Sequence, residues 1–158
     1  MKVHAVDSDV DTGALLPGAQ YADAFRITVD DTALDARRAA EKMLGRAPRW
    51  IETLIRLRNC LVAPFGLKRP LPAAPRAADT IGRFPVLSET PHRLVAGFDD
   101  KHLDFRVVVD VMVAGQGQSV TATTLVLTHN LFGRSYLAII LPFHRLIARA
   151  MLRQVAAN

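Results

Sequence analysis

A chain of 158 residues suits one domain and is long enough to bury a core without disulfide or metal staples. Half of it is apolar and 22% charged, which excludes a disordered or fibrous protein, and a single cysteine, Cys60, excludes a disulfide framework or a thiolate-rich metal site. The net charge of +5 is regional, at −5 over residues 1–35, +8 over 36–83, −2 over 84–130 and +4 over 131–158, so an anionic contact would be local rather than general.

Residues 1–20 read as an irregular acidic lead-in and 21–158 as one domain. The N-terminus lacks the charged-then-apolar plan of a secretory signal. The most apolar run, Tyr136 to Phe143, falls far short of the roughly 20 residues that a spanning helix needs. The expectation is a soluble cytoplasmic protein, and a lone cysteine fits a reducing compartment. Asp7-x-Asp9-x-Asp11 opens like a calcium loop, but its glycine comes one place late at Gly13, and Gly18 stands where the glutamate ligand belongs.

From Tyr21 the pattern alternates, with Tyr21, Asp23, Phe25, Ile27 and Val29 on one face of a half-buried strand. Asp31 or Thr32 is expected to cap a helix that runs to Leu44 and stops at Gly45. A second helix opens at Pro48 and puts Trp50, Ile51, Leu54, Leu57 and Leu61 at core spacing, with Cys60 as a small buried neighbour. Five prolines between Pro64 and Pro85 mark a connector. Strands resume at Phe84–Glu89 and Arg93–Phe98.

Asp99-Asp100 turns the chain into its clearest strand. Leu103, Phe105, Val107, Val109, Val111 and Val113 form one apolar face there, and His102, Asp104, Arg106 and Asp110 the other. The polar row reads either as a proton-transfer row or as a solvated ladder, and the ladder is the commoner arrangement. Gly115-Gln116-Gly117 leads into a strand from Ser119 to His129. Because this G-x-G joins two strands, it is no dinucleotide fingerprint. Pro142 is expected to split the C-terminal helix into Arg134–Leu141 and a longer piece starting near Pro142. Phe143, Leu146, Ile147, Ala150 and Met151 then cluster inward, with Arg145, Arg149 and Arg153 behind. A membrane-surface helix has the same pattern, but a helix docked on its sheet with arginines in solvent is commoner, so membrane contact is not the expected role.

The order β-α-α-β-β-β-β-α predicts an α+β fold in which an antiparallel sheet wraps around the long C-terminal helix, a helix-grip arrangement. A curved sheet wrapped on a helix leaves a cleft of the kind that takes small apolar ligands. The gap is expected between residues 103–113 and the tail beginning near 142.

Five stretches carry a resemblance: Phe84 to Thr90, Asp99 to Arg106, Thr124 to Asn130, Gly133-Arg-Ser-Tyr-Leu137 and Pro142 to Ile147. They resemble an uncharacterised bacterial family of unknown function near the START-related helix-grip superfamily, over about Tyr21 to Arg153. The resemblance implies kinship with lipid-transfer domains, pollen-allergen-type binders and aromatic polyketide cyclases. It also implies a seven-stranded sheet, of which five strands are legible here. Some relatives are fused behind a short-chain-dehydrogenase-like domain, so a dehydrogenase-like partner is one expectation.

The candidate ligand-binding residues are Trp50, Phe105, Val107, His129, Asn130, Arg134, Tyr136 and His144. His129 and Tyr136 would line the cleft mouth; the alternative is a hydrogen-bonded corner that anchors the last helix. No cofactor is expected. No metal is expected either, since the five histidines form no i,i+4 pair. The leading expectation is a binder of a small apolar or amphipathic molecule. Its rivals are a cyclase, isomerase or hydrolase using His129, Tyr136 or Asp104 as acid or base, and a non-catalytic homodimeric interaction module. Nucleic-acid binding is not expected, because the basic region lacks interleaved aromatics.

Overall fold

The computed structural model describes residues 1–65 and 79–157, so Pro70, Pro72 and Pro75 of the expected connector lie outside the described residues. Chain order is β1 (His4–Val6), α1 (Thr12–Leu15), β2 (Tyr21–Val29), α2 (Ala36–Leu44), α3 (Arg49–Val62), β3 (Thr80–Ile81), β4 (Phe84–Glu89), β5 (Arg93–Asp99), β6 (Leu103–Ala114), β7 (Gly117–Thr128) and α4 (Leu131–Arg153). Short 3₁₀ turns follow α3 at Ala63–Phe65 and α4 at Gln154–Ala156.

The strands form one antiparallel sheet in the order β1-β2-β7-β6-β5-β4-β3. The alternating runs read from the sequence become its centre. β6 and β7 pair over their whole length from Leu103↔Thr128 to Ala114↔Gly117, and Gly115 turns the hairpin at φ +62°. β1 and β3 are additional to the five legible strands, and β1 lies within the stretch expected to be irregular. With only three and two residues, they are too short to display any alternation.

Register divides the side chains cleanly. Tyr21, Asp23, Phe25 and Ile27 of β2 lie level with Val126, Thr124, Ala122 and Val120 of β7 and with Phe105, Val107, Val109 and Val111 of β6. This face carries the main core. Val107, Val109 and Val111 are 3%, 0% and 1% exposed, and they belong with Ala36, Ala39, Ala40 and Met43 of α2 and with Ala148, Leu152 and Val155 of the C-terminal segment. The expected gap between residues 103–113 and the tail is therefore filled along Val107–Val111. The other face has a smaller core, in which Val10 and Leu16 of the N-terminal stretch cover Val95, Val108 and Leu125.

The helices depart from expectation in four places. Phe143 and Leu146 of α4, expected to cluster inward, are 51% and 56% exposed because α4 turns Tyr136, Ile140, His144 and Ala148 inward instead. α2 is capped by Asp35, whose side chain accepts from the Arg38 N–H at 2.7 Å, rather than by Asp31 or Thr32. α4 is continuous through Pro142. The missing N–H breaks one ladder bond, but β2 and α2 on one side and the Asn130 cap at the start hold the flanking turns in line. In α3 only Ile51 of the expected core set is buried; Trp50, Leu57 and Leu61 are exposed, as is Cys60. That apolar stripe lies on the outside of the molecule.

Candidate functional site

One acid interrupts the helical face of the sheet. Asp23 sits in β2 opposite Thr124, between Tyr21 and Phe25 on its own face, and its side chain is only 13% exposed. The Tyr21 hydroxyl donates to Asp23 Oδ2 at 2.6 Å. α4 lowers His144 onto the same carboxylate, with Nε2 3.3 Å from Oδ2 and the imidazole edge-on to the Tyr21 ring at 6.3 Å and 83°. That approach falls outside hydrogen-bond geometry, so His144 Nε2 and Asp23 Oδ1 are both buried without a hydrogen-bond partner. Burial pushes the Tyr21 phenol up to about 12, and its bond to Asp23 adds to the rise while Arg145 opposes it. Tyr21 is thus held as a neutral donor.

Next to this polar trio the sheet is aromatic. Phe98 and Phe105 pair directly across β5 and β6, and Phe105 is level with Val126 and Tyr21. Phe84 joins them, with ring centroids at 5.4 Å from Phe105 and 6.2 Å from Phe98. All three phenylalanines are only half-buried. On α4, which packs against β2 and β7, Tyr136, Ile140 and His144 turn inward at four-residue spacing, each half-buried. Arg58 of α3 donates from Nε to the Tyr136 hydroxyl at 2.8 Å and lies 5.5 Å from its ring centroid, which ties α3 to α4.

The eight residues singled out from the sequence do not converge. Phe105, Tyr136 and His144 face the helical side together. Val107 is 3% exposed inside the packed core. Trp50 stands at 42% exposure in the first turn of α3. His129 lies on the opposite face, where its Nε2 meets Asp104 Oδ1 at 2.9 Å, so it shares no cleft mouth with Tyr136. Asn130 caps α4 by accepting from the Gly133 N–H at 2.9 Å, and its amide reaches His102 Nδ1 at 2.9 Å. Arg134 borders a shallow groove of about 280 Å³ with Gln20, Thr128, Leu137 and Leu141.

The row behind β6 is an ion-paired ladder. Asp104 pairs with His129, Arg106 with Asp99 at 2.7 Å, and Asp110 with Arg93 at 2.5 Å. A larger groove of about 570 Å³ on that side, lined by Asp9, Arg26, His92, Arg93, Asp110 and Met112, has Arg93 and Asp110 engaged with each other and Arg26 donating to Thr121. Among the described residues no three His, Cys, Asp or Glu side chains converge as a metal site would require.

Sequence reasoning missed Tyr21 and Asp23. The signal was present, since Asp23 is an acid in the middle of an otherwise apolar alternation. Its meaning depended on how α4 crosses β2, which no local pattern encodes.

A seven-stranded antiparallel sheet that holds one long C-terminal helix, with a buried acid–imidazole pair where they meet, defines a helix-grip-like α+β domain. The chain belongs to DUF2867, a family of proteins of unknown function whose sequence profile matches residues 15–151. Among solved structures, a Rhodobacter sphaeroides protein shares 15% identity, over 98% of this chain and 95% of that one, at a TM-score of 0.46. CalU16 from Micromonospora echinospora shares 13% identity, over 85% of this chain and 80% of that one, at a TM-score of 0.33. No curated protein matches the chain.

Proposed function

We propose that the domain binds a small apolar or amphipathic molecule between the Phe84, Phe98 and Phe105 rings and the inward side of α4, with Tyr21, Asp23 and His144 orienting the ligand's polar group. The observation that carries this reading is the pair of buried atoms without a hydrogen bond, Asp23 Oδ1 and His144 Nε2 (the latter 3.3 Å from Asp23 Oδ2), with half-buried phenylalanines on the same sheet face. A buried polar atom without a partner costs about 1–3 kcal/mol, and a ligand hydroxyl placed between the two would donate to one and accept from the other. Affinity would come from covering the rings, at roughly 25 cal/mol per Å² of apolar surface.

The test is a thermal-shift and titration panel of fatty acids, sterols and aromatic polyketides. At least one class should raise the melting temperature of the wild-type chain. Asp23→Asn and His144→Ala should weaken that ligand by about tenfold, the loss of a charge-assisted hydrogen bond. If no class stabilises the protein, or if both variants bind as tightly as wild type, the reading is wrong.

A second reading is favoured by the same pair. A largely buried carboxylate beside an imidazole is the arrangement of a general base, which fits a cyclase, isomerase or hydrolase acting on the bound molecule. The acid–base residues are then Asp23 and His144 rather than His129 or Asp104, whose side chains face away. Turnover of a bound ligand that His144→Ala abolishes while leaving binding within a few fold would select this reading over simple binding.

A further inference from the structure

We infer that the outward faces of α3 and α4 form a docking surface for an anionic lipid bilayer. This inference is independent of the ligand-binding reading.

Helical geometry places Trp50, Leu57 and Leu61 in one narrow stripe on α3, exposed at 42%, 55% and 64%. Ile139, Phe143 and Leu146 make a second stripe on α4, at 69%, 51% and 56%. Among the described residues neither stripe has a partner: the inward residues of α4 are Tyr136, Ile140, His144 and Ala148, and α3 is joined to α4 by Arg58 on Tyr136. Large exposed apolar side chains gathered on neighbouring helices mark an interaction surface rather than chance exposure.

Charge selects the occupant. Arg49 and Arg56 flank the α3 stripe and Arg134 and Arg153 fall on one flank of the α4 stripe, whereas Arg58 is held by Tyr136, Arg145 interacts with Tyr21 and Arg149 lies 5.2 Å over the Phe25 ring. Against the four outward arginines, Arg49, Arg56, Arg134 and Arg153, α3 contributes a single acid, Glu52, and α4 none. Two copies closing face to face would bring these like charges together, which disfavours a homodimer through this surface. A bilayer with anionic headgroups meets both requirements, with aromatic and aliphatic side chains entering the acyl boundary and guanidinium groups lying at the phosphates. Long arginine stems suit that depth because they can carry the charge outward along apolar surface.

Trp50 is the only tryptophan in the chain and lies on the surface itself, so it reports contact directly. The full chain is mixed with phosphatidylcholine vesicles, and separately with vesicles that also contain phosphatidylglycerol. The expected result is co-sedimentation and a blue-shifted Trp50 emission with the anionic vesicles, weakening in high salt. The double variant Ile139→Glu with Phe143→Glu should lower the bound fraction by about tenfold while the circular dichroism spectrum and melting temperature hold, because both positions are exposed. A charge-only variant, Arg134→Gln with Arg153→Gln, should lose the preference for anionic vesicles. The inference is overturned if wild type stays in the supernatant with anionic vesicles, if the glutamate variant binds as well as wild type, or if the chain sediments as a dimer that the glutamate substitutions dissociate.

Discussion

Tyr21 shows how one side chain can make the fold depend on pH. Its phenol is raised from 10.0 to about 12, by burial first and by the bond to Asp23 second. The unfolded chain therefore releases this proton at lower pH than the folded one. The contribution of Tyr21 is complete below pH 10 and is lost as pH climbs from 10 to about 12. Chemical denaturation across that window should show wild type losing stability more steeply than Tyr21→Phe, which has no proton to lose. Equal slopes would mean that Tyr21 does not sit in this environment. Asp23→Asn should act on the same window from the other side: without the carboxylate, the second cause of the rise disappears and the phenol titrates earlier. Asp23 was legible as an acid on an apolar face, whereas its closeness to His144, 121 positions away along the chain, was a matter of how helix and sheet cross.

At the level of elements, α4 depends on three local features. Asn130 closes its first turn, and Asn130→Ala should lower stability by about 1 kcal/mol in urea titration. Gly133 lies so near the turn before β6 that a β-carbon would come 2.2 Å from the His102 carbonyl oxygen, so Gly133→Ala should lift the helix start away from the sheet and cost more than the cap. Pro142 sits inside a continuous helix. Pro142→Ala restores the N–H that α4 lacks there and should raise stability by up to about 3 kcal/mol, visible as a higher denaturation midpoint. An unchanged midpoint would mean that α4 is already bent at the proline. Pattern reading found β2 and β6 because each alternates over nine residues or more, and β7 because it is rich in Thr, Val and Leu behind a glycine turn. It placed a break at Pro142 because proline chemistry is local, while the packing that keeps the flanking turns aligned comes from Ala148 and Leu152 in the core. It took the α3 stripe as core because helical spacing reveals that a face is apolar but not what covers it.

At the scale of the whole molecule, the sheet needs cover on both sides, and the two covers differ in kind. α2 and the end of α4 supply one, and the N-terminal stretch supplies the other through Val10 and Leu16. A chain starting at Gln20 should therefore expose Val95, Val108 and Leu125, bind a hydrophobic dye and melt at lower temperature. Unchanged melting would reduce that stretch to decoration. The acidic composition of this stretch hid its role, since three buried apolar side chains, Val3, Val10 and Leu16, are too few and too irregularly spaced to make a periodic signal. The rims of the sheet tell a related story. Its outermost strands, β1 and β3, are its shortest, with three and two residues, while the longest, β6 and β7, lie at the centre. A foreign strand seeking free amides and carbonyls to zip onto meets a stub at either border, which breaks the edge of β2 at Ala24–Arg26 and of β4 at Phe84–Pro85 into short lengths. Fibril-like stacking is thereby starved of a template, and the molecule is left free to be greasy on its helices.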